Sequence, residues 1–412
     1  RIIVVILVVV AFVVGNGYSL FRDYRYVSYV PMLLLAMVLM VMRLEYMFLL
    51  TALLTPFAVN YELFEQMRLS LPVEPMMILF SVIFIFRVLL SRSYDTRILR
   101  HPISLLVIVQ LLWMLVTSIT SQLPLVSFKF LASRLWFVIP FFFAAAQIFR
   151  NHLRIRQFFW CYAIGLCAII LISTIKTLSN FSNLQTLHHV MWPYYNDHTA
   201  YGCAIALMLP VAANVLFASN LKHQWHLLAI AIFGILCVGL LLSYCRAAWL
   251  GIVAVIGMYV MVRMGIKLKW MALAVALAVG VFFTYQGEIL YKMGKNHQDS
   301  SYELADQVKS VSNIATDASN LERLNRWASA FRIWKEHPIL GCGPATYQFL
   351  YAGYQRSYQL SIISTNSGDL GNAHSEYIGP LTEQGVPGAI IVVALFVVTF
   401  ATGIRVYQIG RA

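Results

Sequence analysis

The chain has 412 residues, of which 60% are hydrophobic and only 11% charged. Soluble globular domains carry roughly a quarter charged residues, so composition excludes that class and points to an integral membrane protein. The formal net charge is +13, yet no basic patch interleaved with aromatics accompanies it. The excess is assigned to cytoplasmic loops and lipid headgroups, and no nucleic-acid partner is expected.

A bilayer core takes about 20 apolar residues per helix. On that ruler the sequence predicts twelve spans, near 2–18, 27–42, 45–60, 73–91, 102–121, 128–148, 156–177, 199–218, 226–243, 246–263, 268–286 and 386–404. The first run, Ile2 to about Val14, has the length of a signal-peptide core. However, Gly15 to Ser19 is a poor cleavage site, so the run is read as the first transmembrane helix. The chain opens on Arg1 rather than Met, and a few residues are expected before it.

Charge asymmetry orients these spans. With a cytoplasmic N-terminus, alternate loops hold Arg87, Arg92, Arg97 and Arg100, then Arg150, Arg154 and Arg156, then Lys222, then Arg263, Lys267 and Lys269, and finally Arg405 and Arg411. The opposite loops hold Glu62, Glu65, Arg68 and Glu74 and the nearly uncharged stretch from Ser179 to His198; Arg22 and Arg25 are the exception. The positive-inside rule therefore predicts both termini in the cytoplasm. The expected organisation is an all-α membrane protein with eleven helices over 1–286, an extracytoplasmic segment over 287–385, and a last helix with a cytoplasmic tail over 386–412. No pair of matching halves, as in many transporters, is visible.

Six cysteines are present, and none forms a CxxC. Only Cys342 lies in the polar segment 287–385, which therefore has no disulfide of its own, and no metal-ligand spacing is found. Within that segment, Asn296 to Asp317 is polar and loop-like. Ser319 to Glu322 matches a capping box, and Trp327, Phe331 and Trp334 follow at helical spacing, expected to pack against the body of the protein. His337-Pro338 ends this helix, and Gly341-Cys342-Gly343-Pro344 makes a tight turn. A second helix is predicted from near Asn372, because His374, Tyr377, Ile378 and Leu381 fall at i, i+3, i+4 and i+7. His374 in its first turn would be held neutral by the helix dipole.

Four blocks then carry a resemblance. The first is Pro193-Tyr194-Tyr195-Asn196-Asp197-His198, continuing to Gly202. The second is Ser243-Tyr244-Cys245-Arg246-Ala247-Ala248-Trp249-Leu250-Gly251. The third runs from Arg323 to Trp327, with Pro338, Gly341, Gly343 and Pro344 behind it. The fourth is Ala373-His374-Ser375-Glu376-Tyr377, with Glu383, Gly385, Pro387 and Gly388. In this order, and on one predicted side of the membrane, they resemble the O-antigen ligase/polymerase superfamily of bacterial envelope glycan enzymes over roughly residues 190–390. The second block departs from the family pattern, with Tyr244-Cys245 before a single Arg246 where a richer run of Ser and basic residues is usual.

The resemblance implies a GT-C-like glycosyltransferase in the bacterial inner membrane. It would move a glycan from undecaprenyl pyrophosphate to an acceptor at the periplasmic face, without metal or other cofactor. Negative charge grows on the leaving pyrophosphate, and arginine forks suit its oxygens. Arg246 and Arg323 are the candidate pyrophosphate ligands and His374 the candidate base, in a single displacement that inverts the anomeric carbon. Asp197, His198, Glu376, Glu383 and Arg326 are supporting candidates, Arg326 as a solvated or ion-paired residue. The expected acceptor is lipid A–core, which makes the enzyme a ligase. A polymerase and a protein O-oligosaccharyltransferase share the motifs, and a flippase for the same lipid-linked glycan is the rival from another class.

Overall fold

The computed structural model describes residues 43–64, 67–91, 94–179, 191–217, 223–265, 318–357 and 371–410, with isolated positions at 15, 270, 277 and 364. The predicted spans 2–18 and 27–42, nearly all of 268–286, and the loop from 287 to 317 lie outside these residues. In chain order the principal elements are α1 Leu44–Leu54, β1 Val59–Phe64, β2 Met67–Leu71, α2 Val73–Ser91, α3 Pro102–Ile119, α4 Pro124–Val138 and α5 His152–Ser179. There follow α6 His198–Leu216, α7 His223–Leu242, α8 Arg246–Arg263, α9 Ala318–Glu336 and α10 Ile378–Ile409. Among the described residues, seven helices are long and apolar enough to cross a membrane.

The chain divides into two compact units, Arg1–Tyr94 with Pro140–Gly165, and Asp95–Ile139 with Leu166–Ala412. In the first unit, the span predicted over 45–60 is corrected. Its helix stops at Leu54, a 3-10 turn carries Pro56, and an extended strand has begun by Val59. Eleven helical residues rise only about 16 Å, against a hydrocarbon core of roughly 30 Å. Pro56 offers no amide to continue the helix, and β1 then pairs antiparallel with β2 from Val59↔Leu71 to Phe64↔Met67. The predicted outer turn at 61–72 is thus largely a hairpin, the one departure from an all-helical fold among the described residues. Phe48 anchors the unit's core, stacked on Phe158 at 5.1 Å and edge-on to Phe149 at 5.7 Å.

In the second unit α3 packs on α10, α6 on α7 and α8, and α9 on α10. The buried seam of α9 is Glu322, Asn325, Arg326, Ser329, Ala330 and Ile333, which recurs at i, i+3, i+4, i+7, i+8 and i+11 as one helix face must. The aromatic stripe expected to pack lies off this seam. Phe331 is 41% exposed and meets Trp334 edge-on at 6.4 Å. Small and polar residues occupy the seam, where Ser329 Oγ donates to Tyr354 O at 3.4 Å and the Ala330 carbonyl accepts from Thr382 Oγ1 at 3.3 Å.

The helix α10 is broken at Gly385, whose φ of 69° and ψ of −171° no helical residue adopts. The break, together with Pro387, frees carbonyls that would otherwise accept from amides four residues on. Each finds a partner from outside. Thr382 O accepts from Cys342 N at 3.0 Å, Glu383 O from Gly343 N at 2.9 Å, and Gln384 O from the Trp113 indole at 2.8 Å. The Val386 amide donates to Pro338 O at 2.9 Å. The glycine turn is therefore laced to the kink as a strand is to its neighbour. A Cβ on Gly341 would run into the backbone of Glu383, and one on Gly385 into the backbone of Ile339.

Gly385→Ala is expected to destabilise the protein by about 2 kcal/mol or more, from left-handed strain plus the collision. Gly353→Ala is the control, since a Cβ there meets open space. Equal melting temperatures for the two variants in detergent would overturn this reading of the kink.

Candidate active site

The third and fourth sequence blocks meet around Arg326. Its guanidinium Nε donates to Glu322 Oε1 at 3.0 Å, and both residues are buried, at 9% and 5% exposure. Its Nη1 donates to Asn372 O at 3.2 Å and lies 3.5 Å from His374 Nε2. The guanidinium carbon sits 5.2 Å from the centre of the Tyr351 ring, a cation–π placement. Ser364 Oγ donates to the other Glu322 oxygen, and the Tyr347 hydroxyl donates to Arg326 O at 2.7 Å. A Cβ on Gly371 would run into the guanidinium, so a side chain there would displace Arg326.

Glu322, the last residue of the predicted capping box, lies inside α9 and pairs with Arg326 one turn on. One expectation is corrected at this point. His374 is not in the first turn of a helix. It lies in an irregular segment before α10 with a left-handed φ of 47°, and its amide donates to Asn372 Oδ1 at 3.0 Å. Helix α10 begins only at Ile378, and in the turn ahead of it Ser375 Oγ accepts from Tyr377 N at 3.3 Å and Ile378 N at 3.1 Å.

The imidazole is exposed at the edge of this cluster. Partial burial holds its pKa below the ordinary value of 6.5, and the charges of Arg326 and Arg323 lower it further, against a smaller opposing effect of Glu322. The neutrality expected from a helix dipole is thus supplied instead by desolvation and two guanidinium groups. Arg323 is exposed on α9, close enough for its charge to act on His374. The site can bind an anion on its arginines and take up a proton on its imidazole.

Glu383 is committed elsewhere. Its carboxylate accepts from the amides of Ala345 at 2.9 Å and Tyr347 at 3.2 Å, so it fixes the glycine turn. Glu376 is exposed in the turn ahead of α10. The glycine turn is also tied to the 121–127 turn, through Gln122 N to Cys342 O at 3.0 Å and Ser127 Oγ to Pro344 O at 2.9 Å.

The first and second blocks form another cluster. Asp197 caps α6, its Oδ1 accepting from Ala200 N at 2.7 Å and from the Thr199 hydroxyl. Burial pushes its carboxyl pKa up, but the hydrogen bonds from Thr199 and Ala200 and the neighbouring His198 outweigh this and hold it below the usual value. His198 is the first residue of α6. At Gly202 a Cβ would approach Cys245 Cβ at 2.6 Å, so the start of α6 lies directly against the 243–246 turn. Tyr244 turns the chain with a φ of 51°, and half-buried Arg246 opens α8.

The sequence placed Arg326 among the supporting residues, as a solvated or ion-paired side chain, and gave no sign of its contact with His374. The i, i+4 spacing of Glu322 and Arg326 was the available signal for the pair. Tyr347, Tyr351 and Asn372 carried no local signal.

Fold and site together define a helical membrane protein with an arginine–histidine cluster beside a kinked membrane helix. Residues 203–393 match the family described as O-antigen ligase, which supports membership of the O-antigen ligase-like superfamily. The match spans Arg246, Arg323, Arg326, His374, Glu376 and Glu383 and begins just after Asp197 and His198. No curated protein and no solved structure matches the chain. The family supports a glycosyltransferase-like enzyme acting on lipid-linked glycans.

Proposed function

We propose that this protein is an inverting O-antigen ligase, transferring glycan from undecaprenyl pyrophosphate to lipid A–core at the periplasmic face of the inner membrane. In this reading the membrane helices adopt a GT-C-like fold, and neither metal nor cofactor takes part. The observation that carries the proposal is His374, exposed, with a lowered pKa, and flanked by two arginines.

The acceptor hydroxyl gives its proton to the imidazole as its oxygen attacks the anomeric carbon. The bond from that carbon to the pyrophosphate oxygen breaks, and the electron pair leaves with undecaprenyl pyrophosphate. Arg323 and Arg246 bind the oxygens on which charge develops. Arg326 is a positioning residue, holding the segment that carries His374. Its charge makes the imidazole a weaker base but keeps it unprotonated at neutral pH, as the step requires.

The proposal fixes the sign of the pH dependence. A base must be neutral to act, so the rate is expected to fall as pH drops through an acid limb below 6.5. Arg323→Gln removes a charge that disfavours the imidazolium, so the residual activity is expected to show that limb shifted to higher pH. An acid limb above 6.5 in the wild type, or no movement in the variant, contradicts the assignment.

The test of function is the product. Lipid A–core, a lipid-linked repeat unit and a Ser/Thr peptide are offered with one donor, and the new linkage is read by NMR. A bond to lipid A–core with inverted configuration is expected. Longer lipid-linked chains would make the protein a polymerase, glycopeptide an oligosaccharyltransferase, and no new glycosidic bond a transporter.

A further inference from the structure

A cavity of about 460 Å³ lies within the first unit, remote in sequence from every block described above. Its floor is apolar and buried, formed by Leu44, Phe84 and Ile148. Tyr94 walls it, edge-on to Phe84 at 5.9 Å and donating through its hydroxyl to Phe143 O at 3.2 Å. Arg87 and Arg150 line its exposed rim. Glu45 also lines it, but its carboxylate is paired with Arg154, whose guanidinium packs over the Tyr46 ring at 4.8 Å. Three arginines against one glutamate give the cavity and its immediate support a charge of +2.

The cavity sits where two membrane helices end. Arg87 is in the last turns of the Val73–Leu90 span, and Arg150 immediately precedes the His152–Thr177 span. That is headgroup depth, and basic pockets between helix ends suit anionic lipid phosphates. Guanidinium forks match the two unesterified oxygens of a phosphodiester. Beside the rim, Phe86, Leu89 and Leu90 of α2 are exposed, an apolar flank along which acyl chains can lie.

We infer that this cavity is a binding site for the phosphodiester headgroup of an anionic glycerophospholipid, held by Arg87 and Arg150. The site is independent of the glycosyl-transfer reading and stands or falls separately from it.

The test uses the full chain purified in detergent, with retention of phosphatidylglycerol measured by native mass spectrometry against phosphatidylcholine. Arg87→Gln with Arg150→Gln is expected to weaken phosphatidylglycerol binding roughly thirtyfold, the effect of two basic side chains near an anionic headgroup, leaving it near the phosphatidylcholine level. Val88→Trp, which fills the cavity from its lining and keeps both charges, is expected to weaken it too. Unchanged retention in both variants overturns the proposal. Displacement of phosphatidylglycerol by millimolar inorganic phosphate also overturns it, because the site would then take a free anion rather than a lipid.

Discussion

Removing the imidazole at position 374 is expected to lower glycan-transfer turnover by roughly 10²–10⁴-fold, the usual contribution of a positioned histidine base. The melting temperature should change little, because the side chain is exposed and its one described contact is a long one at 3.5 Å. Asparagine is the better replacement. His374 holds a left-handed backbone with φ of 47°, which asparagine tolerates and alanine does not, so His374→Asn removes the base without straining the segment. Wild-type turnover in His374→Asn, measured on purified protein, would remove His374 from the mechanism.

The second large effect is expected at the Glu322–Arg326 pair. Both side chains are buried and bonded at 3.0 Å, and removing one partner of such a pair leaves an uncompensated charge costing about 3–5 kcal/mol. Glu322→Gln and Arg326→Leu should each lower the melting temperature sharply. The combination Glu322→Leu with Arg326→Met tests more, since apolar replacement of a whole buried pair is often tolerated. Stability is expected to recover substantially in that double variant, while turnover stays low because Asn372 and His374 have lost their anchor. Recovery of both would mean that Arg326 only stabilises the fold and has no part in placing His374.

How far the sequence disclosed this arrangement depended on whether the signal was local. Spans at 73–91, 102–121 and 156–177 were legible because an apolar run of membrane length admits few other structures. The run at 45–60 is equally apolar, but hydrophobicity does not separate a helix from a helix followed by a strand; Pro56 was the visible warning. The helix start near Asn372 was extended backward by an apolar spacing that His374 happened to satisfy, while the helix begins only at Ile378. Gly385 and Pro387 marked a break in the last helix, yet the partners of the freed carbonyls, Cys342, Gly343 and Trp113, are far away in sequence. The meeting of Arg326 with His374 and of Gly202 with Cys245 is non-local in the same way. The order of the blocks was readable, and their contacts were not.

The most direct test of glycan transfer is a reconstitution from purified components. Wild type and His374→Asn are each given an undecaprenyl-pyrophosphate-linked glycan and lipid A–core, in detergent and with a chelator present. The expected result is glycan on lipid A–core with the wild type and its near absence with the variant. No new glycosidic bond from the folded wild type, or equal product from the two proteins, would contradict the account.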